Sequence, residues 1–468
     1  MFDAQSFRVA GENIFIHRTH GASVTYSEAC DRIDEIATTL ADCKHKVCLF
    51  FFHNDVESIF TYLAMMRIGC IPMPLPPDLS QGSISNFLNA YACEFVVGRD
   101  ETLINLAGRV RFRFGSIVIK SLDHSASSTP INSNCALLLA TSGSTGDMKA
   151  VRISRQNIKS VSSSIVEYLQ VTSNDIFATS LPLFYSYGLS VLHAAVYCHG
   201  ALAVQQFSLL DKKYWKQLAL DKVTVFSAVP AMLDNMSKLG FDHLAPTSLK
   251  ILTVAGGRLS NLRTKDYLTL SSKLNFSLFS MYGATEASPR MSYVPPQKGW
   301  EKLGSAGIPI PGGSFSVDAQ ETDQDGEVIF YGPNVALGYA TCRSDLNKDD
   351  DFQGRLRTGD IGYLDDDGFL HLTGRLKRIS KQQGVRLNLD HVESILSDHS
   401  IEGMAVDIEG QLIIVTSDQD TRMVKEILRK FVSRTLKFRI LTLKNLPHNA
   451  NGKRDYKVLV SMLEAGAL

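Results

Sequence analysis

Residues 137–154, LLLATSGSTGDMKAVRIS, run an apolar stretch into small hydroxyl residues and glycines, then a lysine. Glycine lets the backbone approach an anion closely and adopts φ values that other residues resist. Successive backbone N–H groups in such a turn make an anion-binding nest. Thr141, Ser142, Ser144 and Thr145 add hydroxyl donors, Gly143 and Gly146 supply the freedom to turn, and Lys149 adds a charge. The chemistry expected is phosphate binding. The spacing is not GxxxxGK[ST], so this is not the phosphate loop of P-loop NTPases. The plainer reading is a polar turn between a strand and a helix, with helix from Asn157 onward.

Four further segments carry chemistry-bearing residues. In SMYGATEAS (280–288), Tyr282 can cover a flat base, Thr285 can bond a phosphate, and Glu286 can hold Mg²⁺. In RTGDIGYL (357–364), Asp360 beside a glycine turn can accept from two ribose hydroxyls. LTGRLKRISKQQG (372–384) is basic, and LPHNANGKRDYKVL (446–459) sets Lys453 in an Asn-Gly turn. Each has a plain alternative when read alone: a Tyr-Gly turn, a capping Asp, a solvated lysine.

These residues need elements to hold them. The chain has 468 residues, which implies two or more domains. Lys+Arg and Asp+Glu are both 48, so no global field steers nucleic acid or an acidic membrane. Eight cysteines form no CxxC pair, as expected of free thiols in a reducing cytosol. The N-terminus does not read as a signal peptide, and apolar runs are too short to span a bilayer. A cytoplasmic location is expected. Short apolar runs read as buried strands at 47–52, 94–97, 136–140, 175–181, 201–207, 223–229, 250–254 and 276–281. Helical patterns lie between several of them, one capped by Ser27 and another over 56–68. This alternation implies α/β layers with largely parallel sheets. Beyond about residue 310 come short polar-edged strands with a hairpin turn at 365–368, then a small α+β unit with strands at 404–408 and 411–416.

Together and in this order, the five segments resemble the adenylate-forming superfamily: acyl-CoA synthetases, peptide-synthetase adenylation domains, D-alanine-carrier ligases and luciferases. SLPLFYSYGLS (180–190), VAGGRLS (254–260) and GEVIFYGPNVALGYA (326–340) add to the likeness. The resemblance implies a large N-terminal core, residues 1–376, of layered α/β sheets with a small β subdomain. A small mobile α+β domain, residues 377–468, follows. The implied activity is an AMP-forming acid–thiol ligase using ATP and Mg²⁺. A carboxylic acid is adenylated, then passed to the phosphopantetheine thiol of an acyl carrier protein or CoA. Thr141–Gly146 and Lys149 match the loop that grips the β- and γ-phosphates. Tyr282 matches the aromatic on adenine, and Gly257 and Gly283 are further expected cofactor-binding residues. Thr285 would contact the α-phosphate and Glu286 would coordinate Mg²⁺. Asp360, helped by Arg375, would hold the ribose. Lys453 would bridge α-phosphate and carboxylate, Lys377 marks the hinge, and Gly384 lies in the thioester-forming loop. The acyl pocket is expected from Tyr185, Gly188, Val229, Gly256 and Ala284.

The chain departs from the family pattern at Met148 and Ala150, which flank the loop lysine, and at Tyr185, where many acyl-CoA synthetases carry His. No Asp stands in 180–190 where amino-acid-activating relatives place one, which favours a non-amino acid. Arg378 stands where acidic residues are common. Lys425, Arg429, Lys430, Arg434, Lys437 and Arg439 can face an acidic carrier protein or merely solvent. Other readings remain: an amino-acid-activating ligase, a γ-phosphoryl-transferring kinase or ATPase, and a retired nucleotide-binding regulator.

Overall fold

The computed structural model describes every residue except 18–21, 123–128, 143–147, 206, 320–324, 383–384, 409, 418–419, 432–436, 449–453 and 466–468. At 142, 148, 379, 381–382, 385–386 and 431 it describes the backbone alone.

Short β-branched and aromatic runs form the framework. The strand Val47–Phe51 (VCLFF) is buried on both faces, as a strand between helices must be. It lies in a five-stranded sheet between Ile71–Leu75 and Phe95–Arg99, parallel to both. A nine-stranded sheet holds six consecutive parallel strands. In order they are Ser277–Tyr282, Ile251–Val254, Val225–Ala228, Ile176–Ala178, Ala201–Ala203 and Ile14–His17. All eight sequence-predicted strands exist; those at 175–181 and 201–207 are shorter by four residues each and that at 223–229 by three. The helix over Val56–Ile68 is also met, capped by Asp55. The helix Tyr26–Thr39 is capped not by Ser27 but by Thr25, which forms a capping box with Glu28. Thr25 has the extended backbone a cap needs, whereas Ser27 already lies in the first turn.

The plainer reading of 141–149, a turn between a strand and a helix, does not hold. Cys135–Ser142 and Met148–Ser154 pair antiparallel, with Thr141 opposite Lys149, so the loop joins two strands. The third strand of this sheet is Gly338–Ala340, antiparallel to Met148–Ser154. The helix then begins at Arg155, with Ser154 as cap and Asn157 closing the capping box. The fully buried Arg152 pins the sheet from within. It donates to Lys348 O, Leu337 O and Asp349 O at 2.5, 3.1 and 3.0 Å, and pairs with Asp351 at 2.8 Å.

A four-stranded antiparallel sheet, Ser314–Asp318, Gly326–Tyr331, Arg355–Leu364 and Leu370–Arg375, is the small β subdomain. The 365–368 turn joins its last two strands, with Asp365 accepting from Phe369 N at 2.9 Å. Residues from Leu387 onward build two apolar clusters of their own. There Gly403–Ile408 and Gln411–Thr416 pair antiparallel, and Phe438–Thr442 adds in parallel. The α/β architecture of a large N-terminal part and a small C-terminal domain is thus the one the sequence predicts.

Arg378, puzzling in sequence, anchors this small domain. It pairs with Asp390 and Glu393 at 2.6 Å each, and its guanidinium lies 3.8 Å from the centroid of the Tyr456 ring. Glu393 is buried and also takes Arg454, the Tyr456 hydroxyl at 2.8 Å and Ala405 N at 2.8 Å. Removing this carboxylate leaves Arg454 without its carboxylate partner and Arg378 with Asp390 alone. We expect Glu393→Ala to cost about 3–5 kcal/mol. Urea unfolding of the full chain should show the small domain melting early; an unshifted transition would refute the role.

Candidate active site

In the parallel sheet, the site residues gather at the carboxyl ends of strands, where open α/β sheets bind ligands. Tyr282 closes the strand Ser277–Tyr282. Gly256 follows Ile251–Val254, and Val229 follows Val225–Ala228. A Cβ on Gly256 (φ +88°) would lie 3.2 Å from both the Tyr185 hydroxyl and Val229 Cγ1. Tyr185, Val229 and Gly256 therefore form one wall, and Gly256 must stay bare. Gly257 is next to it, with Pro230 as the neighbour of its missing side chain. Gly188 packs against the carbonyl of Pro182 so closely that a Cβ would fall 2.3 Å from it. This seats the first turn of the helix Ser186–Cys198 against the site. From that turn Ser186 Oγ meets Thr285 Oγ1 at 3.1 Å. Ala284 precedes the short turn Thr285–Ala287 that presents Thr285 and Glu286.

A second group forms around Asp360. Its carboxylate accepts from the Tyr282 hydroxyl and, at 2.9 Å, from Arg375 Nε. Asp360 and Arg375 face each other across paired strands of the β subdomain. Asp360 is 8% exposed. Burial pushes its carboxyl up, while Arg375 and the Tyr282 hydroxyl pull it down. The same burial, with Asp360 beside it, drives the Tyr282 phenol well above its usual range. Tyr282 thus stays neutral and donates.

A third group surrounds Lys149. Its ammonium lies over the Tyr339 ring, 3.0 Å from the centroid, a cation–π contact. The Tyr339 hydroxyl donates to Glu286 Oε1 at 2.8 Å. Lys149 and Glu286 form no direct ion pair among the described residues, yet the Glu286 carboxylate is near enough to favour the charged form of Lys149. Tyr339 is a site residue the sequence reading missed, although its segment was singled out. A tyrosine after glycine gives no sign of the strand that aims it. Lys377 is exposed and close enough to Lys149 to act on it electrostatically. Thr141 Oγ1 donates to Lys149 O at 3.3 Å. Ser142 is placed by its backbone, at the end of its strand. Gly143, Ser144, Thr145, Gly146, Gly384 and Lys453 lie outside the described residues.

Comparison with known proteins places the chain in a family. Residues 2–340 match the family described as AMP-binding enzyme. The chain belongs to that family. It is 32% identical over 274 residues to 2-succinylbenzoate–CoA ligase of Bacillus velezensis, an alignment covering 56% of this chain and 53% of the relative. It therefore spans about half the length of that relative. It is 28% identical over 482 residues to oxalate–CoA ligase of Arabidopsis thaliana, covering 93% of each. The fold is shared with o-succinylbenzoate CoA synthetase (MenE) of Bacillus subtilis, solved with its acyl-adenylate intermediate. The TM-score is 0.77 at 22% identity, over 96% of both chains. Among the described residues, no helix is long and apolar enough to cross a membrane.

Desolvation lowers the Lys149 ammonium below an ordinary lysine; Lys377 adds to this and Glu286 opposes it. A lowered lysine pKa means the charge is lost earlier as pH rises. We expect kcat/KM for ATP to fall on an alkaline limb below about pH 10.4, the ordinary lysine value. Lys149→Met should abolish that limb; an unchanged profile in the variant would exclude Lys149 as its source.

Proposed function

We propose that this protein is an ATP-dependent, AMP-forming acid–thiol ligase. The observation that carries the reading is the convergence of Lys149, Glu286, Tyr282 and Asp360 on the carboxyl edge of one parallel sheet. In the proposed roles, Lys149 and the 141–146 loop take the β- and γ-phosphates, and Tyr282 lies on adenine. Asp360, backed by Arg375, takes the ribose hydroxyls, and Thr285 takes the α-phosphate.

A carboxylate is a poor electrophile and is repelled by triphosphate. Its oxygen attacks the α-phosphorus, the α–β phosphoanhydride breaks, and pyrophosphate leaves. A thiol then attacks the activated carbonyl and AMP departs. Lys453 bridges acid and α-phosphate and offsets their repulsion. Glu286 suits Mg²⁺, which commonly takes one or two carboxylates along with phosphate oxygens and supplies charge neutralisation. In this reading residues 377–468 move about Lys377 between the two half-reactions, in the cytoplasm.

The relatives' names support CoA as acceptor. Both acids they name carry two carboxyl groups, in keeping with a non-amino acid substrate. A carrier protein is the second acceptor to test. Lys425, Lys430, Lys437 and Arg439 are exposed on the small domain, and such a face complements an acidic partner. Arg429 is partly covered by its contact with Phe438, and Arg434 lies outside the described residues.

Pyrophosphate exchange across a panel of acids, followed by thioester assay with CoA and a carrier protein, tests the reading. Lys453→Ala should lower exchange about 10²–10³-fold, with ATP binding affected less. Release of ADP or phosphate, or ATP binding without exchange on any acid, would favour a phosphotransferase or a retired site.

A further inference from the structure

A buried charge is retained at large cost unless something pairs with it. Among the described residues, the buried charged side chains obey this with a single exception. Arg152 meets Asp351, Arg343 meets Glu94, and Asp360 meets Arg375. Asp175 meets Lys250, Asp221 takes Gln217 Nε2 at 3.0 Å and lies 3.4 Å from His17, and Glu393 meets two arginines. Arg290 is 3% exposed and has no carboxylate within ion-pair reach among the described residues. Its Nε and Nη1 are buried without a hydrogen-bond partner.

Arg290 stands beside the site. Met291 N donates to Tyr282 O at 3.0 Å, which folds residue 290 back against the Tyr282 turn. A Cβ on Gly283 would come within 3.1 Å of Arg290 Cα. The guanidinium lies 4.3 Å from the centroid of the Tyr187 ring, on the helical turn that follows Tyr185. The Tyr187 hydroxyl meets Thr253 Oγ1 at 2.8 Å, and Ser227 Oγ meets Thr253 Oγ1 at 2.9 Å. Thr253 and Ser227 are on the strands that run out to Gly256 and Val229. Arg290, which also bonds the Tyr168 hydroxyl, and these hydroxyls thus stand directly behind the residues Tyr185, Gly256 and Val229 in the same helix and strands.

We infer that Arg290 receives a second anionic group on the acid, so that the substrate is a dicarboxylate. The inference rests on the ligase reading, in which one carboxylate is adenylated at the sheet edge. The other would reach inward to the unpartnered donors of Arg290, a charge-assisted contact that a planar guanidinium makes well. A monocarboxylate of equal length would leave that cation buried and unpaired.

The test compares dicarboxylates with monocarboxylates of the same carbon number, aliphatic and aromatic. Each is assayed by pyrophosphate exchange and, separately, by calorimetric binding to the full chain with a non-hydrolysable ATP analogue. The wild type should prefer the diacid at least about tenfold. Arg290→Gln should lose that preference, with KM for the diacid raised about 10²-fold and KM for ATP unchanged. Arg290→Lys should retain part of it. A purely structural cation would instead lower the melting temperature of Arg290→Gln and leave acid preference intact. Equal use of mono- and diacids by the wild type, or a folded Arg290→Gln with unchanged preference, overturns the inference. Arg290-dependent diacid binding without exchange would uphold it while removing the ligase reading.

Discussion

The site depends on keeping opposite charges close without letting them neutralise each other. Lys149 and Glu286 are near enough to interact, and a direct salt bridge would occupy both. Tyr339 prevents this. Its ring face takes the ammonium and its hydroxyl takes the carboxylate. Both groups stay oriented, and both keep capacity for a ligand. Much of the surrounding structure serves this one placement. The strand Gly338–Ala340 must pair with Met148–Ser154 to bring Tyr339 over Lys149, and Arg152 fixes that pairing from below. The Thr285–Ala287 turn must close on the same point, and Ala336 N holds it there through Glu286 O at 2.8 Å.

Asp360 solves the complementary problem. A buried carboxylate stays charged only where other groups stand in for water. Arg375 across the strand pair and the Tyr282 phenol supply what water otherwise would. These three residues come from the central sheet and from two strands of the β subdomain. Their contact ties the large sheet to the subdomain.

Much of this was legible in the sequence because the parallel strands are apolar on both faces and their turns are rich in glycine. The eight strand segments and the helix at 56–68 needed only local pattern. The hairpin at 141–149 was not legible. MKAVRIS carries an arginine between Val151 and Ile153, which reads as a surface position, whereas Arg152 is fully buried against 337–351. The cap at Thr25 was overlooked for Ser27 because both are hydroxyl residues one turn from the same apolar face. Tyr339 and Arg290 had no local signal. One is defined by a strand partner far along the chain, the other by the absence of any counter-charge, and neither property exists before folding. Arg378 was an anomaly in sequence and becomes ordinary once Asp390 and Glu393 are seen to hold it.

The Glu393 cluster has a mechanical side. Arg378 stands one residue from Lys377, and Arg454 one residue from Lys453. Both guanidiniums grip the same carboxylate. Along the backbone the two arginines are 76 residues apart; through Glu393 they are separated by two contacts. The small domain is therefore cross-braced: residues 378 and 454, far apart along the chain, are tied to each other through one buried carboxylate.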